Sequence, residues 1–528
     1  MLFYTSRVFA LAFALSVAHV SPRPDMRAAA SRFSASARCL SRAGGFARPI
    51  ATSGSVRASD GADVVSQSPV VDPRCASTTR LDSPRRSART TAARRWSARR
   101  FCSDGRPPFG DNALPTTTRA VVFDAHGHPS RALRVDEAFP VAPLGPEDVL
   151  VRFSASPVNP SDANVVEGTY PLRPRAFPAV GGGEGVAEVV RFGARVDRRS
   201  LVGGDELDAF AEEDAAQPRR PVKVVPDVPG SGTWREFAVF PAAALRRVPA
   251  RLPDELAAQM CVNLPTALRL LQDFADLGAD FEADGGSPGS PGSPGSPDHA
   301  RKKTNAQKKT VVLNAPTSAV GRAAVQMCAA RGVPVVCALR ARETDDAWER
   351  DARYLKSLGA SLVVRDAAGG FRTRAAAYAL GEMPPVALAL NGVGGASSAA
   401  LAGALAENGV MVTYGGMARA PAHVPTGAAI FKNVTARGFW LTRWSEEARE
   451  SDSEREKKSD SEDDASARNF ARKRGARGVM FRALFGMVDR GELAMPTRAV
   501  GFSGFLNALN AREGKVGEGK MALWTSTS

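Results

Sequence analysis

Hydrophobic residues follow different patterns in successive parts of the chain. Between residues 115 and 256 they form short runs separated by Gly, Pro or Asp, which predicts a small β-rich barrel. Inside this part, residues 210–228 are acidic and then rich in Pro and Arg, so we expect a surface insertion there. The runs themselves cover residues 120–123, 148–154, 186–190 and 234–240.

From residue 257 onward the pattern becomes an alternation of helices and strands. Apolar residues at helical spacing predict one helix over residues 257–274. The alternation that follows is typical of an α/β domain with a doubly wound parallel sheet. Strands are expected at 310–314, 333–339, 361–364, 386–391 and 410–414, and helices at 319–331 and 346–358.

Two low-complexity segments interrupt this part of the chain. The repeat GGSPGSPGSPGSP and the basic stretch after it predict a flexible, solvated insertion over residues 283–309. Residues 451–473 are charged and poor in apolar side chains, which predicts a second disordered insertion. The nucleotide-binding domain is therefore expected over 257–438, and helix and strand return within 439–528.

The basic charge of the chain is concentrated in its N-terminal part. The first 110 residues hold 18 arginines, no lysine, six aspartates and no glutamate, a net charge of +12 out of +15 for the chain. Because the remainder carries only +3, we expect no nucleic-acid partner. An Arg-, Ser- and Ala-rich, acid-poor N-terminus is typical of an organelle transit peptide. Residues 1–114 are predicted to be this peptide and a disordered spacer.

The same region suggests a destination. From Met26 onward, arginines alternate with small apolar residues, as in a mitochondrial presequence. The apolar run Val8–Val20 is too short to span a bilayer and resembles the core of a secretory signal, which leaves a plastid route open. We predict a mitochondrial location, with the plastid as the alternative. No other segment is apolar enough for a membrane span.

Cysteine and histidine give no sign of a metal site. Three of the six cysteines precede residue 114, and Cys261, Cys328 and Cys337 have neither CxxC spacing nor a nearby His cluster. We interpret them as buried free thiols and predict neither disulfides nor a bound metal. The histidines at 126, 128, 299 and 423 lie in turns, in the linker or beside proline.

One stretch of the first lobe is specific for a family. Residues 158–190 read VNPSDANVVEGTYPLRPRAFPAVGGGEGVAEVV. A zinc alcohol dehydrogenase would show a Cys ligand and then Gly-His-Glu, but here Gly183 directly precedes Glu184, and no Cys occurs between Cys102 and Cys261. The stretch closely resembles the mitochondrial trans-2-enoyl-CoA (enoyl-[acyl-carrier-protein]) reductases, a zinc-free branch of the medium-chain dehydrogenase/reductase superfamily. The resemblance runs, with interruptions, from Arg119 to the C-terminus.

This resemblance implies a fold and a catalytic residue. The fold would be a Rossmann domain joined to a GroES-like catalytic domain, with residues 439–528 returning to the catalytic domain. Tyr170 would be the proton donor or enolate stabiliser. The resemblance also implies a homodimer.

A phosphate-binding turn is expected between a strand and a helix. Asn314-Ala315-Pro316-Thr317-Ser318-Ala319-Val320-Gly321 offers the small residues that let a backbone approach a pyrophosphate at a helix N-terminus. Only Gly321 fits the usual glycine pattern. The enoyl reductases have a similarly glycine-poor turn, although Pro316 departs from it. Cofactor contacts are expected from Thr317, Ser318, Ala319 and Val320.

The next strand ends in Arg340-Ala341-Arg342, where an NAD enzyme usually carries an acid for the ribose 2′-hydroxyl. Two guanidinium groups instead match a 2′-phosphate in charge and in forked geometry. A solvated pair at a strand end is the structural alternative. We predict that NADPH is the cofactor, bound by all three residues.

Further cofactor contacts are implied by the resemblance. They come from a YGGM segment, an FWL segment and two single positions. These residues are Tyr414, Gly415, Gly416, Met417, Phe439, Trp440, Leu441, Thr442, Asn263 and Lys520.

Together these features predict an NADPH-dependent reductase of 2-enoyl thioesters carried on acyl carrier protein or CoA. The reaction would complete the elongation cycle of organellar fatty acid synthesis. An NADPH:quinone reductase of the same superfamily would share the fold and cofactor but need no Tyr170. A binding protein that keeps the fold without catalysis is a further alternative.

Overall fold

The computed structural model describes residues 114–197, 201, 221–282, 308–366, 371, 380–456, 476–511 and 519–525. All but the last residue of the predicted targeting segment and spacer, 1–114, and most of the insertion 283–309 lie outside these residues. Within the described part, no helix combines the length and the apolar character that crossing a bilayer requires.

The first lobe is built from two antiparallel-rich sheets. One sheet has three strands in the order β2-β1-β4. The other runs β15-β16-β3-β5-β6-β8, with β7 also paired to β3. The strands are β1 (Thr117–Phe123), β2 (Leu133–Pro140), β3 (Asp148–Pro157), β4 (Ala179–Val180), β5 (Val186–Phe192), β6 (Lys223–Pro226), β7 (Phe237–Pro241), β8 (Leu245–Arg247), β15 (Thr497–Val500) and β16 (Lys520–Trp524).

Three short helices accompany these strands, and a fourth lies near the C-terminus. Helix α1 (Pro129–Ala132) precedes β2, α2 (Pro160–Glu167) follows β3, and α3 (Asp254–Ala257) follows β8. Helix α11 (Phe502–Ala511) separates β15 from β16. Because β16 pairs with β3, the end of the chain is part of the first lobe's sheet.

Tight packing explains the glycine run before Glu184. A Cβ atom on Gly182 would lie 2.5 Å from Cδ1 of the buried Trp234, and Gly182 itself has a φ of +92°. Only glycine combines that backbone conformation with so little space. The run therefore lets the chain pass against the indole ring and enter β5.

The second lobe is a six-stranded parallel sheet, as the alternating pattern predicted. Its order is β11-β10-β9-β12-β13-β14, which is the order 3-2-1-4-5-6 of a dinucleotide-binding fold. The strands are β9 (Thr310–Asn314), β10 (Val335–Leu339), β11 (Leu362–Arg365), β12 (Val386–Asn391), β13 (Val410–Thr413) and β14 (Thr435–Gly438).

Helices cover both faces of this sheet. One face packs against α4 (Asn263–Gln272), α5 (Ala319–Ala330), α6 (Asp345–Ser357) and α10 (Ala476–Asp489). The other packs against α7 (Gly395–Ala404) and α8 (Thr426–Phe431). The long helix α9 (Leu441–Glu456) follows β14.

The helix predicted over residues 257–274 is confirmed for residues 263–272 but wrong in its start, because α3 ends at Ala257 and α4 begins only at Asn263. Pro265 explains the break, since a proline lacks an N–H and is tolerated only in the first turn of a helix. Starting the helix here places Asn263 at its first position.

Two predicted insertions are partly wrong. Within 210–228, residues 223–226 form β6, whose buried Val224 and Val225 belong to the sheet. Within 451–473, residues 451–456 continue α9, because charged residues such as Glu and Arg propagate a helix well. Residues 210–220 and 457–473 lie outside the described part. The predicted strand 234–240 also begins later, at Phe237.

Candidate active site

Most of the predicted cofactor residues lie at one edge of the parallel sheet. The phosphate turn follows β9, Arg340–Arg342 follow β10, Tyr414–Met417 follow β13, and Phe439–Thr442 follow β14. Since these strands are parallel, all four loops emerge at their common carboxyl edge, where ligands bind in such folds. From β10 to β14 the edge spans four strand spacings, or roughly 19 Å.

The phosphate turn is closed tightly although Gly321 is its only glycine. Ser318 caps α5 by accepting a hydrogen bond from the Gly321 N–H to its Oγ at 3.1 Å. Ala315 takes the left-handed conformation, with a φ of +49°. A Cβ atom on Gly321 would lie 2.5 Å from the Ala315 carbonyl oxygen. Gly321 therefore keeps the helix N-terminus close to the turn, as a pyrophosphate site requires.

Two loops of the sheet edge are linked through Tyr414. Burial raises the pKa of this phenol to about 12, and a hydrogen bond with Ser318 works in the opposite direction. The contact holds the YGGM segment beside the phosphate turn. Gly415 is half-buried, and Gly416 and Met417 are exposed.

An asparagine network that sequence reasoning missed supports the same edge. Asn314 Nδ2 donates to Asn391 Oδ1 at 2.8 Å and to Ser397 Oγ at 2.9 Å. Asn314 Oδ1 accepts from the Gly392 N–H at 2.7 Å, and Asn391 Nδ2 reaches Thr413 Oγ1 at 3.1 Å. These buried amides fix the ends of β9, β12 and β13 relative to one another. The sequence did contain a signal for this network, because three otherwise apolar strands each end in a polar residue.

The arginines after β10 are held differently from each other. Arg340 is exposed, whereas Arg342 Nε donates to Asp351 Oδ2 of α6 at 2.5 Å. The Asp351 side chain is 1% exposed and also pairs with Arg350. Arg342 is thus fixed by a buried carboxylate, while Arg340 projects into solvent. Ala341 lies between them and is exposed.

Tyr170 faces the second lobe through Trp440. The indole Nε1–H donates to the Tyr170 hydroxyl at 2.9 Å, and the rings meet edge to face with centroids 6.2 Å apart. Helix α2 ends at Glu167, and the glycine that caps it, Gly168, has a φ of +74° and turns the chain toward Tyr170. Burial raises the pKa of the phenol, so it stays protonated at neutral pH. Because Trp440 donates, the phenolic proton remains available to a substrate.

The rest of the FWL segment supports this contact. Phe439 packs edge to face against Phe274, with ring centroids 5.8 Å apart. Leu441 and Thr442 form the first turn of α9 and are half-buried. Nearby, Arg419 Nη2 contacts both carboxylate oxygens of Glu167 at 2.7 and 2.8 Å, which joins the two lobes again.

Near Tyr170 lies a polar cluster formed by Asn159, Asp162, Glu184 and Asn263, which are buried, and by the partly buried Lys520. Glu184 accepts from Asn159 Nδ2 at 2.8 Å, from the Val262 N–H at 2.9 Å and from Asn263 Nδ2. Asp162 accepts from the Asn159 N–H at 2.7 Å. Glu184 stands in the place of the Glu in the Gly-His-Glu motif of a zinc dehydrogenase. Here the groups around the two carboxylates are amides and a lysine.

Burial dominates the electrostatics of the cluster. It raises the pKa of Asp162 to about 6 and raises the pKa of Glu184. It lowers the pKa of Lys520, while the two carboxylates act in the opposite direction. Asp162 also acts on Tyr170, whose pKa it raises further. Lys520 and Asn263, which were predicted as cofactor contacts, thus belong to a cluster that influences Tyr170 electrostatically through Asp162.

Among the described residues, no group of three or more His, Cys, Asp or Glu side chains has a metal-binding arrangement. The described cysteines are free thiols: Cys328 and Cys337 are buried, whereas Cys261 is only partly buried. Burial raises the pKa of both Cys328 and Cys337.

Comparison with known families identifies the class of protein. The alcohol dehydrogenase GroES-like domain model matches residues 145–250, and the zinc-binding dehydrogenase model matches residues 319–454. The fold and the two matches define a medium-chain dehydrogenase/reductase, as the sequence predicted.

Curated relatives identify the family within this class. The chain is 35% identical over 328 residues to the mitochondrial enoyl-[acyl-carrier-protein] reductase of Caenorhabditis elegans, which covers 62% of this chain and 78% of the relative. It is 36% identical over 358 residues to the human protein of the same name, which covers 67% and 82%. The chain belongs to this enoyl-[acyl-carrier-protein] reductase family, which confirms the resemblance.

Solved structures agree in fold. A complex of Etr1p with NADP and crotonyl-CoA has a TM-score of 0.58 at 24% identity and covers 77% of this chain and 99% of its own. A putative NADPH:quinone reductase from Bacillus thuringiensis has a TM-score of 0.53 at 20% identity and covers 78% and 100%.

Proposed function

We propose that the protein reduces trans-2-enoyl thioesters to acyl thioesters with NADPH. The observation that carries this proposal is the hydrogen bond between Trp440 of the second lobe and the hydroxyl of Tyr170. It holds a neutral phenol at the junction of the two lobes, beside the proposed nicotinamide end of the site. Family membership supports the same reaction.

The residues fit the cofactor in shape and in charge. Gly321 lets the phosphate turn pack closely against the start of α5, and the N-terminus of α5 offers N–H donors to a pyrophosphate. Arg340 and Arg342 would bind the 2′-phosphate, with Arg342 oriented by Asp351. Tyr414, Gly415 and Trp440 would line the nicotinamide end. Thr317, Ala319, Val320 and Lys520 complete the proposed contacts.

When bound, NADPH supplies a hydride for C3 of the enoyl thioester. Negative charge then develops on the thioester oxygen and on C2 of the substrate. The Tyr170 hydroxyl can donate a hydrogen bond to that oxygen or a proton to C2. A general acid of this kind contributes roughly 10²- to 10⁴-fold to the rate.

Turnover with two substrate classes tests this proposal. Purified protein, NADPH and crotonyl-CoA should give butyryl-CoA, and quinones should be reduced slowly or not at all. Rapid quinone reduction without enoyl reduction would favour the quinone reductase. Absence of both activities, with NADPH still bound, would favour a binding protein.

The proposal also covers the natural substrate and the location of the enzyme. We propose that the acyl chain is carried on acyl carrier protein, that CoA thioesters also react, and that the enzyme works in mitochondria. Relatives named as mitochondrial support this location. Residues 1–115 fused to a fluorescent reporter should direct it to mitochondria, and a plastid or cytosolic reporter would contradict this.

We also propose a homodimer formed through β14. In the described sheet β14 pairs only with β13, and all four of its residues are exposed. Beside it, Ile430 and Phe431 of α8 are 66% and 82% exposed. An unpaired edge next to apolar side chains suits pairing with a second copy. Phe431→Glu should shift the mass measured by light scattering from dimer to monomer, and an unchanged mass would contradict this interface.

A further inference from the structure

The side-chain amide of Asn263 is held in one orientation. Asn263 is 4% exposed and opens α4, at the junction of the two lobes. Its Nδ2 donates to Asn159 Oδ1 at 3.0 Å and to Glu184 Oε1. An amide nitrogen has two hydrogens, so both are used. No described residue donates to Asn263 Oδ1 in turn, and the side chain therefore offers a ligand only an acceptor.

Glu184 imposes this orientation. Its side chain is fully buried, and its other oxygen accepts the Val262 N–H at 2.9 Å. An ionised carboxylate has no hydrogen to donate, so it can face only the NH₂ side of Asn263. Burial raises the pKa of Glu184 and Lys520 opposes this, but the geometry is decisive: three N–H donors, from Asn159, Val262 and Asn263, meet the two oxygens, so both oxygens act as acceptors. A glutamine in the same place could face either side of the amide.

The complementary group is a hydrogen-bond donor near Tyr170. Asp162, in the same cluster as Glu184, acts electrostatically on Tyr170. In the proposed reaction the hydride is added to C3, while Tyr170 acts on the adjacent C2 or on the thioester oxygen. The nicotinamide must therefore also lie near Tyr170. The primary carboxamide of a nicotinamide carries two N–H donors.

We propose that Glu184 is a positioning residue, which turns Asn263 so that its Oδ1 accepts a hydrogen bond from the nicotinamide carboxamide. The inference rests on the proposed function, because it requires the cofactor to be a nicotinamide dinucleotide. It assigns to the buried carboxylate a role in selecting the pyridine substituent.

Dissociation constants for two oxidised dinucleotides test this role without turnover. The probes are NADP⁺ and its 3-acetylpyridine analogue, in which a methyl ketone replaces the carboxamide and removes the N–H donors. We expect wild type to prefer NADP⁺ by about tenfold, as for one hydrogen bond. Glu184→Gln should lower this preference to within about twofold, because either amide orientation becomes possible.

Glu188→Gln is the matched control, since Glu188 lies on β5, just after Glu184 in the chain, but is exposed. It should retain the wild-type preference. Asn263→Ala should abolish the preference, and adding Glu184→Gln to it should change nothing further. If Glu184→Gln fails to fold, Asn159→Ser removes the other acceptor of Nδ2 and should also reduce the preference.

The outcomes separate the inference from the proposed function. If Glu184→Gln, or Asn159→Ser in its place, weakens both dinucleotides equally, the preference is unchanged and the inference is overturned. If the wild-type protein reduces crotonyl-CoA in that case, the proposed function is unaffected. Wild type that binds neither dinucleotide contradicts the proposed function itself.

Discussion

The cluster around Glu184 and the arginines after β10 lie at opposite ends of the proposed cofactor site and hold charge differently. In the cluster, Glu184 and Asp162 are buried and accept hydrogen bonds from neighbouring backbone and amide groups. After β10, Arg340 is exposed and only Arg342 is braced by a buried partner.

The two regions would therefore act differently on the cofactor: the buried cluster would orient hydrogen bonds, and the exposed arginine would attract a phosphate. Buried groups are costly to leave unpaired, so the cluster fixes directions of hydrogen bonds near the reacting atoms. Exposed cations are already solvated, and they can gain contacts with a 2′-phosphate without rearranging the core. We therefore expect changes in the catalytic end to affect kcat and stability, and changes at the other end to affect cofactor KM.

The largest effect is expected at the catalytic end, from Tyr170→Phe. This change removes the hydroxyl but keeps the ring beside Trp440. If the hydroxyl stabilises charge only as it develops, kcat for crotonyl-CoA should fall roughly 10²-fold or more, with little change in NADPH binding. Steady-state kinetics measures this, and quinone reduction, if present, serves as the control that should fall much less. Wild-type kcat in the variant would remove Tyr170 from the mechanism.

At the other end, Arg340→Ala combined with Arg342→Ala should raise KM for NADPH at least tenfold and leave KM for NADH nearly unchanged. Two charge-assisted contacts of about 1.5–3 kcal/mol each would be lost. Arg340→Ala alone is the cleaner variant, because Arg342→Ala also removes a partner of Asp351. Arg365→Ala is the control, since Arg365 ends the adjacent strand and pairs with Asp345. Equal effects on both cofactors would assign the arginines to folding.

The buried cluster should make the free energy of unfolding depend on pH. The pKa of Asp162 is raised to about 6, so its stabilising contribution is complete below about pH 4 and is lost as pH rises through 6. The free energy of unfolding of wild type minus that of Asp162→Asn should fall by about 2 kcal/mol between pH 4 and 7. Urea unfolding at several pH values measures it. Asp346→Asn, at an exposed position, should lack this trend, and a flat difference for Asp162→Asn would contradict the assignment.

The smallest effect is expected outside both regions. Replacing residues 285–297 with a short Gly-Ser turn should barely change the melting temperature, because the cost of loop closure depends weakly on length. Calorimetry of the two proteins gives the comparison. A loss of several kcal/mol would mean that the segment packs against the fold.

The sequence predicted the parallel sheet better than the buried cluster, for a physical reason. Strands such as β9 and β12 are continuous apolar runs, and their contiguous pattern is sufficient to predict them. The break before Asn263 and strand β6 were missed because a proline at a helix start and a four-residue strand leave weak local signals.

The cluster depends on contacts between distant segments. Asn159, Glu184, Asn263 and Lys520 meet only after both lobes have folded, and no local spacing relates them. Resemblance supplied Asn263 and Lys520, and the missing zinc motif drew attention to Glu184. The roles of Asp162, Asp351 and the Asn314–Asn391 contact required the structure.

The destination of the cofactor's hydrogen tests the central claim most directly. Crotonyl-CoA should be reduced with NADPH deuterated at both C4 positions of the nicotinamide, and the butyryl-CoA product analysed by NMR. We predict one deuterium at C3 and none at C2, and the reverse when unlabelled NADPH is used in deuterated water. Cofactor deuterium at C2, or no conversion of crotonyl-CoA to butyryl-CoA, would contradict enoyl thioester reduction by this site.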